Sequence, residues 1–364
     1  MVAVTVLAAD PALRVDLAGR CAGRRPSTGP GSKHASARPA RCRAARRNHG
    51  DVVPQVTSGV RPFAAPGRVG SSSYNDPINL TDPMGLRPSD CDMSVANGLE
   101  AQAAADAANG DQDAADRERR AVSNSHDTGS CILEANANGM GRIVESYGNL
   151  QAASNIAVAI DGTGQDIGHN TAEPHAINIR EAADDIAGSG STATVAWLGY
   201  DSPGNPAAGL GWGAAEDGGR GLVDFVNRLR RHFGGKRITV IGHSYGSAVV
   251  AEAMKDGLQA DDAVVTGTFG GGLGVASAGE TGYGGHLYVG HAADDTGVTV
   301  GEITHGKNQF LYSDARLLDV GGASGHNEYY DRGSTSLRSI AAVVVGRVGV
   351  VGQKNGRDLW GLPS

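Results

Sequence analysis

Cysteine is scarce in this chain. Four residues, Cys21, Cys42, Cys91 and Cys131, are scattered over 364 positions with no C-x-x-C pair. That spacing indicates neither a zinc site nor a disulfide framework. Long apolar runs are absent as well. No stretch reaches the roughly 20 residues that a membrane helix needs, so no transmembrane segment is expected. The opening run, residues 1–9, is apolar but has no basic flank. It falls short of a secretory signal and points by default to the cytoplasm. Aromatic residues nearly vanish from the first 70 positions, where Phe63 stands alone.

What that region has instead is positive charge. Residues 1–70 hold 12 Lys+Arg against 3 Asp+Glu, while the rest of the chain holds 20 against 36, for an overall charge of −7. Arginines cluster at 24–25, 41–43 and 46–47, a pattern able to attract nucleic acid or anionic lipid. Without apolar periodicity such a segment cannot bury a core, so residues 1–73 are expected to be a disordered or non-native leader. The acidic remainder argues against nucleic acid as the main partner of the folded part.

Beyond residue 90 the pattern changes. Positions 94–124 are Ala-rich and charged, interrupted by Gly98 and Gly110, which predicts one or two solvent-facing helices in a segment spanning 91–125. Strands are predicted at 131–134 and 142–146, joined by the turn Asn136-Ala137-Asn138-Gly139. Further strands follow at 155–160, 192–198, 237–241, 262–268, 286–289 and 316–320, with helices at 173–187, 218–232, 247–255 and 336–345. The middle strands are nearly unbroken apolar runs, as in a parallel sheet covered on both faces. The fold class is therefore α/β, a mostly parallel doubly wound sheet with helices on both faces, over residues 126–350. Residues 201–221 are Gly-rich and read as a mobile loop overhanging a site; residues 351–364 form a tail.

Gly242-His243-Ser244-Tyr245-Gly246 lies where a predicted strand meets a predicted helix. In a chain with 55 glycines the five-residue pattern alone is weak, and its placement carries it. G-x-S-x-G at a strand–helix turn is a nucleophile elbow, which exposes the serine hydroxyl to a base. The flanking glycines keep side chains out of a tight crossing. The turn has no Lys, which excludes a phosphate loop. A serine hydroxyl needs a base, and the base a carboxylate that sets its tautomer. Strand 286–289 leads to the acid, Asp295 or its neighbour Asp294. His326, just before the last helix, is the expected base, with His305 as the alternative. His243 should point away from the serine. Backbone N–H groups of Tyr245 and Thr163 are the expected oxyanion donors. Asp161, two residues before Thr163, brings a negative charge to that loop. No metal or other cofactor is required.

Three segments extend the reading: Ala196-Trp197-Leu198-Gly199-Tyr200-Asp201-Ser202-Pro203, the elbow from Gly242 to Ser247, and Gly325-His326-Asn327-Glu328-Tyr329. Over about residues 130–348 they resemble the bacterial α/β-hydrolase family known as domain of unknown function 1023. Its members carry A-W-L-G-Y-D-x-P, G-H-S-Y-G-S and a late G-H-x-x-Y. The resemblance implies an α/β-hydrolase fold and a serine hydrolase using Ser244, His326 and one of the paired aspartates. It implies no substrate. Where relatives have D-D-P after the acid strand, this chain has Asp294-Asp295-Thr296.

A second resemblance covers residues 74–86, Tyr74-Asn75-Asp76-Pro77-Ile78-Asn79-Leu80-Thr81-Asp82-Pro83-Met84-Gly85-Leu86. It is similar to the end of an RHS-repeat core, N-D-P-x-N-x-x-D-P-x-G-L, although the usual Tyr- and Gly-rich repeats do not precede it. That implies a closing segment at 74–90, followed by the C-terminal effector of a polymorphic toxin, exported with its shell and neutralised by an immunity protein. The expected function is a serine hydrolase acting on small-molecule or lipid esters. Two other readings stay open: a catalytically weak binding module on the same fold, and an amidase or peptidase.

Overall fold

The computed structural model describes residues 91–205, 208–271, 275–292, 294–295, 309, 312–321 and 323–348. The chain divides into two units, residues 1–65 and 66–364, and all described residues belong to the second. The expected leader, the RHS-like segment, the tail and His305 lie outside the described residues.

Two helices come first, α1 (Ser94–Asn109) and α2 (Gln112–Thr128), then β1 (Cys131–Asn136), β2 (Arg142–Tyr147) and β3 (Asn155–Ile160). The alternation continues with α3 (Ala172–Ala187), β4 (Thr192–Leu198), α4 (Gly213–His232), β5 (Arg237–His243) and α5 (Tyr245–Lys255). It closes with β6 (Asp262–Thr266), β7 (His286–Gly290), β8 (Arg316–Leu317) and α6 (Thr335–Val344). One eight-stranded sheet results, in the order β1-β2-β4-β3-β5-β6-β7-β8. The β1–β2 and β2–β4 pairs are antiparallel, and pairing from β4 to β8 is parallel.

The apolar runs of the central strands serve two cores at once. Along β3, Ile156, Val158 and Ile160 join one cluster with residues of α1, α2, α4 and α5. The intervening Ala157 and Ala159 join the other, with α3 and α6. Successive side chains of a strand point to opposite faces, so burial on both faces requires every position to be apolar. Among the described residues no helix is long and apolar enough to cross a membrane.

Several expectations need correction. The N-terminal helices are not merely solvent-facing: Ala96 and Leu99 of α1 and Ala121 and Val122 of α2 enter the first core. Their stripe of small residues contributes little to a hydrophobic pattern, which is why composition hides it. The Gly-rich stretch 201–221 is not wholly a loop, because α4 begins at Gly213. A Cβ on Gly219 would lie 2.7 Å from Cβ of Glu252 and 2.8 Å from the backbone nitrogen of Ala253. The glycines there let α4 lie directly on α5.

The strand predicted at 262–268 stops at Thr266 because Gly267 turns away with φ +53°. The last strand is two residues long rather than five. The Asp319 carboxylate accepts the N–H of Gly321 and its carbonyl accepts the Ser339 hydroxyl, drawing the chain off the sheet edge.

The cysteine expectation is also overturned. Cys91 and Cys131 form a disulfide, with Cα atoms 5.5 Å apart, that ties the chain before α1 to the start of β1. A 40-residue separation carries no spacing signature, so only the packing of the helical pair on the sheet reveals the bond. Closing a loop of that length is worth about 2–4 kcal/mol.

Candidate active site

Strand order reverses around β3. This strand and β5 are neighbours, yet the chain leaving β3 runs to α3 on one face while the chain leaving β5 runs into α5 on the other. Loops that diverge from adjacent parallel strands open a crevice at their carboxyl ends, where α/β sheets hold ligands. Ser244 sits in that crevice, half-buried, between β5 and α5.

Its backbone is at φ 52°, ψ −124°, and it alone has positive φ among the described non-glycine residues. Such a conformation costs on the order of 1–3 kcal/mol and persists only where the surroundings over-determine it. Here the Ser244 N–H donates to the Thr266 carbonyl at 3.1 Å, and its own carbonyl accepts the Ser247 hydroxyl at 2.6 Å. The flanking glycines are sterically required. A Cβ on Gly246 would lie 2.5 Å from the carbonyl oxygen of Ile160, and one on Gly242 would lie 2.6 Å from that of Gly246.

Three of the expected residues, Ser244, His326 and Asp295, stand in a line of contacts. His326 Nε2 is 2.8 Å from Ser244 Oγ, and His326 Nδ1 is 2.8 Å from Asp295 Oδ1. The Asp295 side chain is fully buried. Nδ1 therefore donates to the carboxylate, and Nε2 offers its lone pair to the serine hydroxyl. Asp294 is elsewhere. It is exposed, and its Oδ1 accepts the N–H of Gly325, bracing the loop that carries His326. Gly267 passes beneath the imidazole, since a Cβ there would come 3.0 Å from His326 Cε1 and 3.2 Å from Asp295 Oδ2.

The loop after β3 closes over Ser244. A Cβ on Gly162 would lie 3.0 Å from Ser244 Cβ, 3.1 Å from its Oγ and 3.8 Å from the Tyr245 nitrogen. Tyr245 opens α5 and so occupies the positive end of that helix. Its phenol points away and donates to the Gly211 carbonyl.

Asp161 turns its side chain out of the crevice. Oδ1 accepts the Gly162 N–H at 2.7 Å and lies 2.5 Å from His243 Nδ1, while Oδ2 accepts the Thr171 hydroxyl. Burial alone would raise this carboxyl. The charge and hydrogen bond of His243, with His175 and Thr171 behind them, outweigh burial and hold it well below the usual carboxylate range. Burial likewise works to lower His243, and Asp161 reverses it, so His243 lies above the ordinary imidazole value. His175 goes the other way: burial, opposed by Asp161 and helped by His243, lowers it to about 4.

Asp161, His175 and His243 are also three candidate metal ligands in one buried group. A tetrahedral ion bound at about 2.0–2.2 Å would spread its ligand atoms to roughly 3.3 Å. The 2.5 Å contact between His243 and Asp161 fits a hydrogen bond instead.

Two contributors escaped the sequence reading. Tyr329, fully buried, donates its hydroxyl to Asp295 Oδ2 at 2.8 Å and accepts the Ala292 N–H, which orients Asp295. It stood in plain view in the G-H-x-x-Y segment, without a role. His175 stacks on Tyr330, with ring centroids 4.2 Å apart. Its signal was a histidine on the apolar stripe formed by Ala172, Ala176, Ile179 and Ala183.

A mostly parallel eight-stranded sheet with a strained serine elbow at its carboxyl edge defines the α/β-hydrolase fold. Residues 136–304 match the alpha/beta hydrolase family model. The chain is 32% identical over 246 residues to the uncharacterized Mycobacterium tuberculosis proteins MT2140 (strain CDC 1551 / Oshkosh) and Rv2079 (strain ATCC 25618 / H37Rv). That alignment covers 57% of this chain and 37% of each relative, so the chain spans little more than a third of their length. Similar solved structures include Est1E from Butyrivibrio proteoclasticus, with TM-score 0.38 and 11% identity over 60% of this chain and 99% of that one. A Trichoderma reesei cutinase in complex with a C11Y4 phosphonate inhibitor gives TM-score 0.34 and 16% identity over 53% and 76%.

Proposed function

We propose that this chain is a serine hydrolase that cleaves carboxylic esters, lipid esters among them, through an acyl-enzyme. The observation that carries the reading is the unbroken contact chain Ser244–His326–Asp295, mounted on the strained elbow. Ser244 Oγ attacks the ester carbonyl as its proton passes to His326 Nε2. Asp295 stabilises the imidazolium. The N–H groups of Tyr245 and Thr163 hold the oxyanion. His326 then protonates the leaving alkoxide, and the alcohol departs. A water molecule, deprotonated by the same imidazole, releases the acid and restores the serine. The binding-module alternative draws its support from the negative charge of Asp161 and from the altered acid loop Asp294-Asp295-Thr296; the hydrogen bond from His243 to Asp161 weighs against the first.

A fluorophosphonate probe tests the reading, because it phosphonylates only an activated serine. Labelling is expected in the wild type and lost in Ser244→Ala, with the mass shift on the peptide holding residues 237–255. An unlabelled wild type that is folded by circular dichroism would reject the serine-hydrolase assignment.

The narrower resemblance to the domain-of-unknown-function-1023 family rests on the A-W-L-G-Y-D, G-H-S-Y-G-S and G-H-x-x-Y segments, and a toxin role rests on residues 74–86. The Cys91–Cys131 disulfide favours action in an oxidising compartment over the cytoplasm, where thiols are kept reduced. As an effector, the chain should arrest bacterial growth when sent to the periplasm, and Ser244→Ala should abolish the arrest. Equal growth with wild type and variant in both compartments would sink the toxin reading while leaving the hydrolase intact.

A further inference from the structure

His243 has no part in the proton transfers above, yet it is bonded at both ring nitrogens. It ends β5 and is 4% exposed. Nδ1 is 2.5 Å from Asp161 Oδ1, and Nε2 is 2.7 Å from the backbone carbonyl oxygen of His326. A carbonyl oxygen has no proton to give, so Nε2 must donate. Asp161 already accepts from the Gly162 N–H and the Thr171 hydroxyl, as a carboxylate does, so Nδ1 donates as well. Two donating ring nitrogens make an imidazolium.

We propose that the buried Asp161–His243 ion pair is a positioning device, clamping the oxyanion loop to the loop of the base across the back of the elbow. One residue thereby reaches both halves of the chemistry. Asp161 fixes Gly162, the residue facing Ser244, and so sets where the Thr163 N–H points. His243 fixes the main chain of His326, and so sets the imidazole over Ser244. The positive charge also cancels the carboxylate that would oppose an oxyanion forming close by. Other groups complete the surroundings. His175 from α3 lies 3.4 Å from Asp161 Oδ2. The rings of Tyr329 and Tyr330 flank His243, with centroids 6.1 and 5.7 Å away, and the charge of Asp295 also acts on it. The His326 ring is nearer still, with centroids 5.0 Å apart, and the formal anions among these groups, Asp161 and Asp295, are what favour a cation at His243.

The role rests on the serine-hydrolase reading, and the test separates the two. The readout is the second-order rate of fluorophosphonate labelling per folded molecule, with the folded fraction measured by near-UV circular dichroism. His243→Gln leaves the Asp161 charge bare and releases the base loop, so labelling should slow by about 10²-fold, the size expected for misplacing a reacting group by about 1 Å. Adding Asp161→Asn removes the bare charge and should recover about tenfold of that loss. A purely structural role would lower the folded fraction and leave the rate per folded molecule at the wild-type value. That outcome would overturn the proposal, as would a double variant no faster than the single one. Should the variants not fold, ¹⁵N-edited spectra of the wild type decide: protons on both ring nitrogens of His243 at neutral pH are expected, and a single proton would refute the clamp. A wild type that takes up no probe speaks against the hydrolase instead, and leaves the spectroscopic result standing.

Discussion

Asp295→Asn should slow fluorophosphonate labelling of Ser244 by about 10⁴-fold, and Asp294→Asn by less than about threefold. The two residues are adjacent in the chain and chemically identical, so only their surroundings separate them. Asp295 is buried, holds His326 Nδ1 at 2.8 Å and is itself held by the Tyr329 hydroxyl. An asparagine there keeps the shape but can turn an N–H toward Nδ1. The imidazole then takes the wrong tautomer and presents a proton, not a lone pair, to the serine; that failure costs a Ser-His-Asp triad about 10⁴ in turnover. Asp294 accepts one backbone N–H at the surface, which an asparagine oxygen does equally well. Equal losses in the two variants, or no loss in Asp295→Asn, would show that the acid lies elsewhere.

Between about pH 4.5 and pH 8 the protein should lose on the order of 5 kcal/mol of stability through one residue, Glu145. Its carboxyl is 2% exposed in the middle of β2. Burial pushes it from 4.5 up to about 8, and the charge of Glu173 adds to this, against weaker hydrogen bonds from Ser130 and Asn170. Across this window the unfolded chain has released the proton while the folded chain still holds it. Stability therefore falls as pH rises, by about 1.4 kcal/mol per pH unit. The contribution is complete below the unfolded value and is lost once pH passes the folded one. Glu145→Gln keeps an acceptor for the Ser130 hydroxyl and removes the titration. Urea unfolding at pH 5 and pH 8 should show the variant gaining on the wild type by several kcal/mol between the two conditions. Parallel curves would mean that Glu145 ionises freely in the fold.

Much of this molecule is legible in its sequence. The six-residue run Asn155–Ile160 has apolar side chains at five of its positions, and a strand buried on both faces is the simplest structure that uses them all. The elbow was legible for a steric reason, since the glycines on either side of Ser244 leave no room for a Cβ. That His243 turns away from the serine followed from the same turn. Three things were hidden for one shared reason: each depends on what lies opposite in space. The glycines of α4 looked like loop residues, because nothing local says that α5 presses against them. Cys91 and Cys131 looked solitary, because the helical pair between them had to fold back first. Asp161 looked like a fault in the oxyanion loop, because its partner is 82 residues away.

Periodicity and steric demand are local properties, so the chain alone specified a doubly wound sheet with a serine held out at its edge, followed in order by candidates for acid and base. Partnership is not local. Which aspartate reaches His326, what holds Asp161, and which cysteines join depend on a few ångströms of separation between residues dozens of positions apart. Only the packed sheet, with its loops diverging from β3 and β5, sets those distances.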